Sequence, residues 1–67
     1  MRIQLNGQPY DLPAEVDTVE RLIQHLQLER RIVVVEHNRR VLEKEDHASA
    51  VLREGDALEI VHFVGGG

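Results

Sequence analysis

The chain alternates apolar and polar positions from its second residue. In Arg2-Ile3-Gln4-Leu5-Asn6 the two aliphatic side chains stand two apart and share one face of a strand. Asn6-Gly7 follows, a pair that tolerates positive φ and predicts a tight hairpin. The return strand, Gln8 to Leu12, sets Tyr10 and Leu12 on the inner face. Pro9 has no N–H to give to a ladder, so this strand is expected at a sheet edge, and Pro13 ends it.

The period then changes. Val19, Leu22, Ile23 and Leu26 stand at i, i+3, i+4 and i+7, one apolar stripe of a helix, with Gln24, His25 and Gln27 on its outer side. Asp17 or Thr18 caps it, and Glu20 stands three residues after Asp17, the spacing of a capping box. The helix is expected to end near Leu28, because Glu29-Arg30-Arg31 interrupts the stripe. Ile32 to His37 is rich in β-branched residues and reads as a strand, which Asn38-Arg39-Arg40 turns back into a short one at Val41-Leu42. From Glu43 to Leu52 the pattern fits either a loop or a single helical turn, with Val51 and Leu52 returning to the core. Glu54-Gly55-Asp56 is a turn that opens the last strand at Ala57. In that strand Leu58, Ile60 and His62 point inward, and Glu59, Val61 and Phe63 point the other way. By the same parity Val34 faces outward between inward Val33 and Val35.

This order predicts an α+β domain: a mixed sheet of four to five strands with one main helix packed on one face. The stripe is buried against Ile3, Leu5, Val33, Val35, Leu58 and Ile60. With the first and last strands side by side in the middle, this is the β-grasp (ubiquitin-like) arrangement, and the right-handed crossover rule and the edge-marking Pro9 agree with it. Residues 1–64 are expected to form this domain, and residues 65–67 a flexible C-terminal glycine tail.

Composition narrows the function. At 67 residues the chain is one domain near the lower limit for a self-sufficient core, and without Cys it has neither disulfide nor thiolate zinc site. Twelve acidic against eight basic residues give a formal charge of −4, the wrong sign for a phosphate-backbone binder, so no nucleic-acid partner is expected. Arg30-Arg31 and Arg39-Arg40 flank a strand and read as its solvated ends. No apolar run approaches the ~20 residues that span a bilayer, and no leader follows Met1, so a cytoplasmic protein with no membrane partner is expected. His25, His37, His47 and His62 are scattered over different elements without ligand spacing; they read as surface or boundary residues, with no metal site. Ser49 and Thr18 are the only Ser and Thr, and Ser49, two residues from His47, has no oriented base or oxyanion site indicated. No catalytic residue is expected.

What remains is the last stretch, where an apolar strand runs into Gly65-Gly66-Gly67. A glycine run buries nothing and is costly to order, but without Cβ atoms it threads a narrow slot. Three residues reach about 10 Å. With the chain expected to stop at Gly67, the bead would hold out one unhindered α-carboxylate. A frayed tail or a linker remnant would show the same glycines. At the root of the tail, Val34, Val61 and Phe63, helped by Glu59, read as a docking patch.

With these features the sequence resembles the ubiquitin-like sulfur carriers of the MoaD/ThiS family, and the ThiS type most closely. The resemblance rests on Met1-Arg2-Ile3-Gln4-Leu5-Asn6-Gly7, on Thr18-Val19 leading to Leu22-Ile23 and Leu26, on Glu54-Gly55-Asp56, and on Gly66-Gly67. Members often carry an aliphatic residue near His37 and a Pro near Glu43, so the register of that hairpin is the least fixed. The resemblance implies a carrier, not an enzyme, with its chemistry at the Gly67 carboxylate. An E1-like adenylyltransferase (ThiF type) would use ATP to form an acyl-adenylate there. Sulfur from a persulfide donor, such as a cysteine desulfurase supplies, would then leave a thiocarboxylate, and a thiazole synthase (ThiG type) would take the sulfur for the thiazole ring of thiamine. Gly65, Gly66 and Gly67 would thread the partner's active site, and ATP would be bound by the partner, with no cofactor held by this chain. The small subunit of molybdopterin synthase, or another sulfur carrier or ubiquitin-like modifier, would share the fold and the tail. A β-grasp binding module with an inert tail stays open as a different class.

Overall fold

The computed structural model describes residues 1–63. The elements are β1 (Arg2–Leu5), β2 (Gln8–Asp11), α1 (Val19–His25), β3 (Ile32–His37), β4 (Arg40–Leu42), a 3-10 turn (Lys44–Asp46) and β5 (Ala57–Phe63). The sheet order is β2-β1-β5-β3-β4. β1 and β5 are parallel, and the other neighbours are antiparallel. This is the expected β-grasp arrangement: first and last strands lie adjacent inside the sheet, and β2, with Pro9, is at an edge.

Both hairpins close with positive φ at their two central residues, Asn6 and Gly7 at 50° and 80°, Asn38 and Arg39 at 50° and 71°. That is the requirement of a type I′ turn, whose twist matches the flanking strands. Each Asn also reaches across to β5. The Asn6 side chain accepts from the Ile60 N–H at 2.8 Å and donates to the Ile60 carbonyl at 3.3 Å. The Asn38 side chain accepts from the Ala57 N–H at 2.9 Å. The turns thereby extend the ladder on both sides of β5.

The core lies between α1 and one sheet face. Val19, Leu22 and Ile23 of the helix are buried with Ile3, Val35, Leu58 and Ile60 of the sheet, and with Leu12, Val16 and Leu52 from the connections. Leu5, Val33 and Leu26 are half-buried around it. Of the two segments that cross under the sheet, the second returns as expected at Leu52. Val51 does not join it: it is exposed, because its backbone bridges Thr18 and this extended pairing points the next side chain inward instead.

Three other local expectations are corrected. The helix ends at His25, not near Leu28. Gln27 takes φ 60°, its N–H bonds the Gln24 carbonyl, and the Leu28 N–H bonds the Ile23 carbonyl. This is a Schellman stop made with Gln where Gly is usual, and it folds Leu28 back against the core. The cap is Thr18, whose hydroxyl accepts from the Arg21 N–H at 3.1 Å. Asp17 is therefore outside the helix, so no Asp17–Glu20 capping box forms; Asp17 pairs with the Arg21 guanidinium at 3.1 Å. Finally the return strand stops at Asp11, although Leu12 is buried as expected and its N–H still bonds the Met1 carbonyl.

Candidate functional site

The root of the tail is built by the β3–β5 pair. The register sets Val34 opposite Val61 and Ile32 opposite Phe63. Burial alternates strictly through Ala57 to Val61, with Leu58 and Ile60 covered and Glu59 and Val61 open. The outer face thus shows Ile32 at 74% exposure, Val34 at 44%, Val61 at 56% and Phe63 at 55%. The two cross-strand pairs are neighbours on one surface that no element among the described residues covers, which brings together all of Val34, Val61 and Phe63, with Glu59 beyond Val61. Gly65, Gly66 and Gly67 lie outside the described residues.

The sequence reading missed Ile32, the most exposed apolar residue of the patch. Its signal was present: it has the parity of Val34, two residues on, and needed only the pairing to Phe63. Glu36 was missed for the same reason and sits opposite Glu59. His62 was expected inward, and its parity is that of Ile60. It is nevertheless exposed, because the buried cluster of the helix reaches β5 only as far as Ile60.

Two polar arrangements stand out, one at the start of β5 and one on the β1–β2 hairpin. At the start of β5, Asp56 accepts from the Arg53 N–H at 2.9 Å, from the Asn38 amide at 3.2 Å, and meets His37 Nε2 at 2.7 Å. Burial by itself would push the Asp56 carboxyl up. The hydrogen bonds from His37, Arg53 and Asn38 together outweigh it and hold the carboxyl below its ordinary range. At the far edge, the Arg2 guanidinium grips Asp11 in a bidentate pair at 2.7 and 3.2 Å. The hydrogen bond and charge of Arg2 lower the Asp11 carboxyl. Both groups are exposed, so this pair is a surface feature of the hairpin.

The histidines are not arranged as a group. His37 belongs to the Asp56 cluster, His25 meets the Tyr10 ring edge-on at 6.3 Å, and His62 is exposed. His47, read as a surface or boundary residue, is buried at 7% exposure, because the turn after Lys44–Asp46 docks under α1, where its carbonyl accepts from the Glu20 N–H. Among the described residues no three His, Asp or Glu side chains gather as metal ligands. Ser49 Oγ donates to the Asp46 carbonyl as part of its turn. No helix among the described residues is long and apolar enough to cross a membrane.

Comparison with known proteins fits this geometry. The sequence matches the ThiS family over residues 3–67. It is 42% identical to the sulfur carrier protein ThiS of Bacillus subtilis over 65 residues, covering 97% of this chain and 98% of that protein. It is 40% identical over its whole length to a thiazole synthase of Magnetococcus marinus, of which it spans only 20%. The crystal structure of the thiamine biosynthesis protein ThiS from Geobacter metallireducens superposes with a TM-score of 0.82, at 33% identity and with full coverage of both chains. On the strength of a full-length match in sequence and in fold, this chain belongs to the ThiS family.

Proposed function

We propose that the chain is a sulfur carrier for the thiazole ring of thiamine, and that its reactive group is the Gly67 carboxylate. The observation that carries this reading is the similarity to a ThiS sulfur carrier over 97% of the chain, together with a ThiS family match that runs to residue 67. A carboxylate is a poor electrophile because its leaving group would be oxide. An E1-like adenylyltransferase of the ThiF type would transfer AMP from ATP to the carboxylate and release pyrophosphate. The terminal sulfur of a persulfide, of the kind a cysteine desulfurase provides, then attacks the acyl carbon and AMP leaves. A thiol cleaves the resulting acyl disulfide, supplies the two electrons, and frees the thiocarboxylate. That product is ionised at neutral pH and soft, so it hands sulfur to a thiazole synthase of the ThiG type. The chain supplies no catalyst for these steps. Its part is to present the tail, and ATP stays with the partner.

Support for the acceptor comes from two thiazole synthases, of Magnetococcus marinus and Paramagnetospirillum magneticum, in which a fifth of the length is similar to this whole chain. A carrier-like segment and a thiazole synthase on one polypeptide is the arrangement expected of two proteins that act together. Ile32, Val34, Val61 and Phe63, with Glu59 beside them, form the docking face in this reading, because a contiguous apolar surface left exposed among the described residues suits a partner.

The test is ATP–pyrophosphate exchange by a ThiF-type adenylyltransferase with the chain as co-substrate. An alanine appended after Gly67 removes the reacting carboxylate from its place and is expected to abolish exchange. Gly66→Ala is expected to slow it by adding a Cβ inside the slot. Stability should stay within about 0.5 kcal/mol in both, as for surface changes away from packed features. Undiminished exchange by the extended chain would overturn the proposal.

A further inference from the structure

A cleft opens where two elements stop short. β4 ends at Leu42, whose partner on β3 is Val35, so from Ile32 to Val34 no named strand flanks β3 on that side. α1 ends at His25, and the connection back to β3 turns through Leu28 and Arg31. The space left between them is a cleft of about 520 Å³, with Ile23, Leu28 and Val33 as its apolar lining and His47 beside them. That volume falls within the ~300–1,000 Å³ of small-molecule sites.

Two observations say what such a molecule would carry. The first is His47, nine-tenths buried, whose ring makes no hydrogen bond among the described residues. Among those residues no side-chain nitrogen or oxygen sealed from solvent lacks a partner. The imidazole nitrogens therefore keep open surface, and the cleft is the space that His47 lines. An imidazole has an N–H to donate, and a buried donor left unpaired costs free energy that a ligand acceptor restores. The second is charge. Exposed Arg30, Arg31 and Lys44 line the same cleft, three of the eight basic residues of a chain with formal charge −4. They outnumber the acidic lining residues, Glu20 and Glu29, and none of the three is in an ion pair among the described residues.

Independently of the carrier reading, we infer that this cleft binds a small phosphate monoester. Its apolar body lies on Ile23, Leu28 and Val33, and its phosphate is held among His47, Lys44 and the two arginines. A phosphate presents three acceptor oxygens and close to two charges, which suits several donors; a carboxylate has two oxygens and one charge. Guanidinium forks match its oxygens in pairs. Glu20 and Glu29 keep the surplus of positive charge small. The site is therefore set for one anionic head with an apolar body, and not for the run of phosphates of a nucleic acid.

NMR titration of the full-length chain, with labelled backbone amides and His imidazoles, tests this with phenyl phosphate as the probe. Saturable binding with a Kd at or below about 1 mM is expected, with shifts at the His47 ring and at the Ile23 and Val33 amides. Inorganic phosphate lacks the body and phenylacetate lacks the third oxygen, so each should bind about tenfold more weakly. His47→Gln is expected to weaken phenyl phosphate about tenfold. Since His47 is buried and its variant can fail to fold, exposed Arg31→Gln and Lys44→Gln are tested together and should give a loss of similar size. A Kd above about 10 mM, or an Arg31→Gln, Lys44→Gln chain that binds as wild type, overturns the inference. So does phenylacetate or inorganic phosphate binding as tightly as phenyl phosphate. Shifts centred on Arg2, Arg39, Arg40 or Arg53 instead of the cleft overturn it as well, because they would report unspecific attraction to surface charge.

Discussion

Along β5, Leu58 and Ile60 are sealed beneath α1, while Glu59, Val61 and Phe63 stand in solvent on the reverse of the same strand. Both faces are largely apolar, so hydrophobicity by itself does not separate them. What separates them is cover. Among the described residues one helix serves a five-stranded sheet and shields one side only, and the cross-strand rows Val34–Val61 and Ile32–Phe63 lie on the other. The comparison teaches that one strand of a domain of this size carries two surfaces: its inward parity holds the fold together, and its outward parity is the one that the proposed function gives to a partner.

Substitutions on the two faces should therefore fail differently. Leu58→Ala attacks the covered face and is expected to cost about 2–5 kcal/mol in chemical denaturation, as for a buried leucine truncated to a cavity. A core this small supplies about 3–5 kcal/mol in total, so much of the variant should be unfolded. Asn6→Ala attacks the strand between the faces. It removes both side-chain bonds to Ile60 and leaves alanine at φ 50°, and about 2 kcal/mol should be lost by the same measurement.

Acid should loosen the start of β5. The folded Asp56 carboxyl lies below its ordinary value of 3.8, so it adds stability above that pH, and this contribution is lost as pH falls through the folded value. Asp56→Asn is expected to flatten part of the acid limb in denaturation followed from neutral pH downward. Gln27→Gly touches neither face. It should raise stability by about 0.5–1 kcal/mol by relieving a left-handed glutamine at the helix stop. Phe63→Ala, on the open face, should move stability by no more than about 0.5 kcal/mol while it weakens activation, which shows as a higher KM for the carrier in pyrophosphate exchange.

The elements that follow from period and turn chemistry were legible in the residues. Asn6-Gly7 fixed one hairpin, the Val19–Leu22–Ile23 stripe fixed the buried side of the helix, and the β-branched run gave β3 its observed bounds. What escaped were features decided by pairing or by a single backbone angle. A positive φ at Gln27 is invisible without glycine, so the helix was read as three residues longer than it is. The choice between Asp17 and Thr18 as cap was settled by the bridge of Thr18 to Val51. Within the candidate site, Val34, Val61 and Phe63 followed from parity alone. Ile32 and Glu36 needed the register, because only the alignment of β3 against β5 says which outward residues face one another.

The claim on which the rest depends is that the terminal carboxylate is loaded with sulfur. Intact-mass spectrometry of the chain, incubated with a ThiF-type adenylyltransferase, ATP and a persulfide donor, tests it most directly. The account predicts replacement of one oxygen by sulfur, localised by fragmentation to Gly67 and dependent on ATP. A chain that keeps its mass under these conditions while the enzyme loads the Bacillus subtilis relative, or that takes up sulfur at any other residue, would contradict it.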